Sequence, residues 1–105
     1  MIAMNKELFQ STIREEKPVL VEFWAPWCTY CRRIAPALAK VDKEYEGVLA
    51  VAQVNIDEAP EVAEMEGIEL VPTMVIYRGG QALGSIVAPD SKAKIDSFIK
   101  QTLSI

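Results

Sequence analysis

Apart from one glutamate, the run Val19-Leu20-Val21-Glu22-Phe23-Trp24 is apolar at alternate positions of both parities, so as a strand it has no face to give to water. Such a run belongs inside a sheet that carries packed layers on both sides. It leads directly into Ala25-Pro26-Trp27-Cys28-Thr29-Tyr30-Cys31-Arg32, which holds the only two cysteines of the chain, and then into a helical pattern.

The rest of the chain alternates in the same way. Met1 to Met4 is a candidate short strand. Asn5 can cap a helix with Leu8, Phe9 and Ile13 on its apolar face, and Pro18 blocks any continuation. Beyond the cysteines, Ile34, Leu38 and Val41 recur at helical spacing towards Tyr45, with Gly47 at the end. Pro36 lies inside that helix, where its missing donor and its ring predict a kink. Val48 to Ile56 is a second buried strand, and Asp57 to Gly67 contains a short helix with Pro60 in its first turn. Thr73 to Tyr77 and Ala82 to Val87 flank Arg78-Gly79-Gly80-Gln81, which predicts an antiparallel hairpin turned at the glycines. A last helix, from about Asp90, buries Ile95, Phe98, Ile99 and Leu103. Helices between the early strands require parallel crossovers, and the hairpin adds an antiparallel pair. The expectation is one α/β domain over residues 1–105, with a central mixed sheet flanked by helices.

Two thiols at i and i+3 in the first turn of a helix have Cα atoms roughly 5 to 6 Å apart, so a disulfide can close and open without moving the backbone. Unpaired amides and the positive end of the helix dipole favour a thiolate at Cys28. Its pKa is expected to be lowered and its sulfur to attack, with Cys31, deeper by a turn, resolving the mixed disulfide. Arg32 and Arg33 add positive charge nearby. Two structural readings stand beside this one. An inert disulfide gains little from closing so short a loop. A zinc half-site needs two more soft or nitrogen ligands; the chain has no other Cys and no His, so a metal would have to be shared between chains. No metal and no cofactor is expected.

The glutamate is as informative as the cysteines. A carboxylate inside an apolar strand costs several kcal/mol if it is ionised and unpaired. Burial raises its pKa, so Glu22 can take or give the proton that Cys31 exchanges near neutral pH. The plainer alternative is a glutamate near the strand end that reaches solvent.

Charge excludes several partner classes. The net charge is −4, the pI is near 4.8, and no Lys/Arg cluster points to nucleic acid or to an anionic membrane surface. Proteins and small thiols are the expected partners. The first residues lack the apolar core of a signal peptide, and no stretch approaches the ~18 uncharged apolar residues of a membrane span. A cytoplasmic monomer is the expectation.

Taken in order and spacing, the Trp-Cys-x-x-Cys segment after Val21-Glu22-Phe23-Trp24-Ala25, Asn55-Ile56-Asp57, Val71-Pro72-Thr73, the Gly79-Gly80 turn and the acidic start of the last helix resemble the thioredoxin family over essentially the whole chain. The resemblance implies a thioredoxin fold with the dithiol on the N-terminal end of a kinked helix. It implies dithiol–disulfide exchange with disulfide-containing protein substrates, recharged by a thioredoxin reductase. Pro72 matches a cis-proline facing the dithiol, where the residue alone would read as an ordinary trans proline opening a strand. That leaves the Val71 backbone free to pair with an extended substrate segment. Trp27 is either a core aromatic or, as favoured here, part of an apolar rim that docks substrates; Trp24 is structural.

Several positions depart from the family pattern. Glu22 stands where Asp is usual, and its extra methylene is expected to bring the carboxyl closer to Cys31. Gln53 stands where a lysine commonly partners the acid, so Glu22 lacks its usual cation and its pKa should rise further. Ala88, followed by Pro89, replaces a glycine, and its methyl restricts how closely a partner backbone packs. Thr29-Tyr30 replaces the usual Gly-Pro between the cysteines. Tyr30 keeps an N–H that proline lacks, and a donor there would stabilise the Cys28 thiolate and make the pair more oxidising. The leading reading is a protein disulfide reductase. A second is a more oxidising relative that forms or isomerises disulfides or serves one dedicated pathway. A third, from another class, is a binding subunit that uses the rim of Trp27, Val71 and Ala88 without redox turnover.

Overall fold

The computed structural model describes residues 1–105. In chain order the elements are β1 (Ile2–Ala3), α1 (Lys6–Ile13), β2 (Val19–Trp24), α2 (Thr29–Glu44), β3 (Ala50–Asn55), α3 (Pro60–Met65), β4 (Thr73–Arg78), β5 (Gln81–Val87) and α4 (Lys92–Leu103). The strands form a five-stranded sheet in the order β1-β3-β2-β4-β5. β3 is parallel to both β1 and β2, whereas β4 is antiparallel to β2 and to β5. This is the thioredoxin fold, a mixed sheet flanked by four helices.

β2 occupies the centre because all of it but Glu22 is apolar on both faces, and residues 19–23 are all buried. Val19, Val21 and Phe23 point to one side, into a core with Phe9 of α1, Val62 of α3 and Val75 and Tyr77 of β4. Leu20 points to the other, among Ile34, Leu38 and Val41 of α2 and Ile95 and Ile99 of α4. Lys92 also ties α4 to α2, its ammonium lying 2.7 Å from Glu44 and 2.9 Å from Asp96. No helix is long and apolar enough to cross a membrane.

The boundaries differ from the pattern reading in ways that hydrogen bonding explains. β3 begins at Ala50 rather than Val48, because the amides of Val48 and Leu49 still bond to the Tyr45 carbonyl at the end of α2. β1 is only two residues long and exposed. Leu8, expected on the apolar face of α1, is exposed, while Phe9 is fully buried and Ile13 partly so. α4 starts at Lys92, where the Ser91 hydroxyl accepts from the Lys94 amide at 3.2 Å, rather than at Asp90; Phe98 and Leu103 are half-buried on its flank. The hairpin turns on Gly79 and Gly80, both at positive φ (59° and 82°), the twist that a two-residue connection between antiparallel strands requires.

Phe9 packs edge-on against Phe23 and Tyr77, with ring centroids 6.0 and 5.5 Å away. Replacing it with alanine removes the aromatic link between α1 and the sheet and is expected to lower stability by about 3–5 kcal/mol. Urea unfolding followed by far-UV dichroism measures this; a loss under about 1 kcal/mol would mean the α1 side closes over the cavity.

Candidate active site

The chain leaves β2 at its carboxyl end and enters α2 within a few residues, which puts the cysteines where the sheet ends and a helix begins. Cys28 is the N-cap of α2, with an extended backbone, and its Sγ accepts the Cys31 amide at 3.1 Å. A sulfur thus takes the place that an oxygen holds in most caps. Cys28 and Cys31 are joined as a disulfide with a Cα–Cα distance of 5.3 Å, inside the range expected from the spacing. Both are largely buried and pack with Ala25 against Trp24, Tyr30 and Val71.

The facing wall comes from the loop before β4 and the end of β5. The Val71–Pro72 peptide is cis, and Pro72 is buried. The Val71 carbonyl lies 3.8 Å from Cys28 Sγ, so the reduced thiol has an acceptor there. The Ala88 amide donates to the Pro72 carbonyl at 2.8 Å. Ala88 has φ +46°, a left-handed backbone that costs a residue with a Cβ roughly 1–2 kcal/mol, so alanine stands where glycine is the easy choice.

Trp27 is 64% exposed, so it is a rim residue and not a core aromatic, and its Nε1–H donates to Asp57 Oδ1 at 3.2 Å. Trp24 is half-buried beside the disulfide. Arg32 is exposed and folds back to donate to the Pro26 carbonyl at 2.7 Å, which fastens the loop before Cys28 as well as adding charge. Thr29 is exposed.

In the disulfide form the Cys31 amide is the donor to Cys28 Sγ, and the Tyr30 hydroxyl donates to the Pro89 carbonyl at 2.7 Å. Glu22 has no cation beside it, as expected, and pairs with a neutral group instead. It is 1% exposed, which removes the solvent-reaching alternative, and its Oε1 accepts from Gln53 Nε2 at 2.9 Å, across a pair in direct register. In this disulfide form Oε2 is buried and has no hydrogen-bond partner. Burial pushes the Glu22 pKa up, and the hydrogen bond from Gln53 offsets part of that rise. A neutral amide satisfies one oxygen without supplying the charge that would hold the acid ionised.

Sequence reasoning missed three supports of the site. Asp57 anchors Trp27. Tyr77 donates to Glu66 at 2.6 Å, and Thr73 donates to the Leu70 carbonyl at 2.5 Å, so the loop carrying Val71 is braced at both ends. A tyrosine on a buried strand was the available signal, since its hydroxyl needs a partner. No group of three or more His, Cys, Asp or Glu side chains is arranged to hold a metal.

A disulfide set on a helix N-terminus, with its Cα atoms 5.3 Å apart and a buried acid on the strand that leads to it, is the arrangement of a thiol–disulfide exchange protein. Residues 1–101 match the family model of thioredoxin, and the chain belongs to that family. It is 39% identical to thioredoxin 1 of Nostoc sp. over 94 residues, covering 90% of this chain and 88% of the relative. Thioredoxin of Synechocystis sp. is 38% identical with the same coverage, and the chloroplastic M-type thioredoxin of Chlamydomonas reinhardtii is 38% identical over 97% of this chain and 74% of its own. The protein is accordingly a disulfide oxidoreductase whose redox-active group is the Cys28–Cys31 pair.

The raised Glu22 pKa fixes the sign of a pH effect. Between about pH 4.3, where an unfolded glutamate titrates, and the higher folded value, the native state binds the extra proton, so stability falls as pH rises through that window. Glu22→Gln removes this contribution. Its stability relative to wild type is expected to grow between about pH 4 and about pH 8. Thermal unfolding at both pH values measures the gap, and a constant gap would mean that Glu22 titrates as an ordinary carboxylate.

Proposed function

We propose that this chain, acting as one domain and as a monomer, reduces disulfides of partner proteins and is returned to the dithiol form by a thioredoxin reductase. The arrangement of Cys28 at the helix cap, with Cys31 a turn deeper, carries this reading. The Cys28 thiolate attacks a substrate disulfide, forming a mixed disulfide and releasing one substrate thiolate. Cys31 gives its proton to the Glu22 carboxylate and attacks Cys28 Sγ, which releases the second substrate thiolate and leaves the Cys28–Cys31 disulfide. Two electrons have passed to the substrate. Oε2 of Glu22, free of partners in the disulfide form, is the oxygen available for that proton.

Trp27, Val71, Pro72 and Ala88 form the groove for an extended substrate segment, with the Val71 backbone pairing by strand addition. Thr29 and Arg32 tune the pair from the helix side, and Tyr30 does so through its backbone N–H, a donor that proline would lack. The second reading, a more oxidising relative that forms or isomerises disulfides or serves one dedicated pathway, stays with the Thr29-Tyr30 dipeptide, and the reduction potential separates the two. Dependence on a reductase suits the cytoplasm, where thiols are kept reduced.

The reduction potential, followed by tryptophan fluorescence in thiol buffers, is expected near the thioredoxin value of about −270 mV; a value near about −180 mV would shift the assignment to disulfide formation or isomerisation. In an insulin-reduction assay Cys28→Ser should abolish activity, and Cys31→Ser should accumulate a mixed disulfide with the substrate. Full activity of the double serine variant would instead support a binding role without redox turnover.

A further inference from the structure

Tyr30 joins two parts of the groove that lie 59 positions apart in the chain. Its ring, half-buried, packs against the cluster of Ala25, Cys28 and Cys31, and its hydroxyl donates to the carbonyl of the buried Pro89 at 2.7 Å. The residue before Pro89 is the exposed Ala88, held at φ +46°, whose own amide is bound to the Pro72 carbonyl. A circuit is thereby closed from the first turn of α2 through Pro89, Ala88 and Pro72 to Val71, and back to Cys28 Sγ. A residue with a Cβ keeps a left-handed backbone only where its surroundings over-determine it. On the helix side of this loop, the contact that does so is the Tyr30 hydroxyl.

We propose that Tyr30 is a positioning residue for protein substrates: its hydroxyl holds the loop at Ala88 and Pro89 in place, so that the wall of the groove opposite the dithiol is set before a substrate arrives. The proposal rests on the reading of the chain as a protein disulfide reductase. An extended segment lying along Val71 meets that wall over several residues, and a preset wall spares it the ordering of a loop on binding. A small disulfide touches the sulfurs and little else, so the same hydroxyl matters much less to it. Electron transfer is unchanged: the steps at Cys28 and Cys31 are those given above.

Tyr30→Phe keeps the ring and removes only the hydroxyl. With dithiothreitol as the reductant, kcat and KM are measured for insulin and for hydroxyethyl disulfide. KM for insulin is expected to rise about fivefold, the size of one lost hydrogen bond, and the ratio of kcat/KM for insulin to that for hydroxyethyl disulfide to fall by the same factor. Repeating the substitution in an Ala88→Gly background tests the route of the effect. Glycine accepts the left-handed backbone unaided, so the same change should there raise KM for insulin less than about twofold. An unchanged KM for insulin, an equal loss with both substrates, or an equal cost in both backgrounds would overturn the proposal. A wild-type chain that fails to reduce insulin at all would instead sink the reductase reading, which separates the two failures.

Discussion

Burial of β2 on both faces is the constraint from which the site follows. A strand with no solvent face must be central, and covering both faces sends α1 and α2 to opposite sides of the sheet. β2 then has a parallel neighbour on one edge and an antiparallel one on the other. In open α/β sheets the crevice forms outside the carboxyl ends of the strands where the winding reverses. Here that point is the end of β2, and the first available helix N-terminus is that of α2. The cap position falls on Cys28, so its sulfur sits at the helix N-terminus, on the Cys31 amide, because of where β2 must lie.

The same burial makes Glu22 an expensive residue for the fold. Burial gives the protonated acid an advantage over the carboxylate, and the hydrogen bond from the neutral Gln53 to Oε1 offsets it only in part. A lysine in place of Gln53 would supply a charge that favours the ionised acid. What the present pairing leaves is a buried oxygen, Oε2, with no partner in the disulfide form. The proton transfer we propose for Glu22 would account for a carboxyl that stability alone does not.

Periodicity and punctuation made the elements legible, because the contacts that specify them are local. The two-faced run at Val19, the helical spacing of Ile34, Leu38 and Val41, and the Gly79-Gly80 turn each state their geometry within a few residues. The dithiol was legible for the same reason, since its geometry depends on a three-residue offset in one helical turn. What could not be read were side-chain bonds between distant segments. Gln53 was seen as a missing cation rather than as a donor, and Tyr30 as a backbone amide rather than as a phenol reaching Pro89. Leu8 and Val48 were misjudged because apolar residues at element ends are decided by which neighbour the fold supplies.

Those distant bonds share a chemistry. Hydroxyls of Tyr30, Thr73 and Tyr77 donate to Pro89, Leu70 and Glu66, and each fastens a loop that borders the disulfide. Loops cannot satisfy their own backbone groups as helices and strands do, and a groove made of loops acquires a fixed shape only through such ties. Each is worth about 1 kcal/mol, small against the burial that holds the sheet together. Losing one of these ties would cost the fold little, while the groove beside the disulfide would lose a fixed point of its wall.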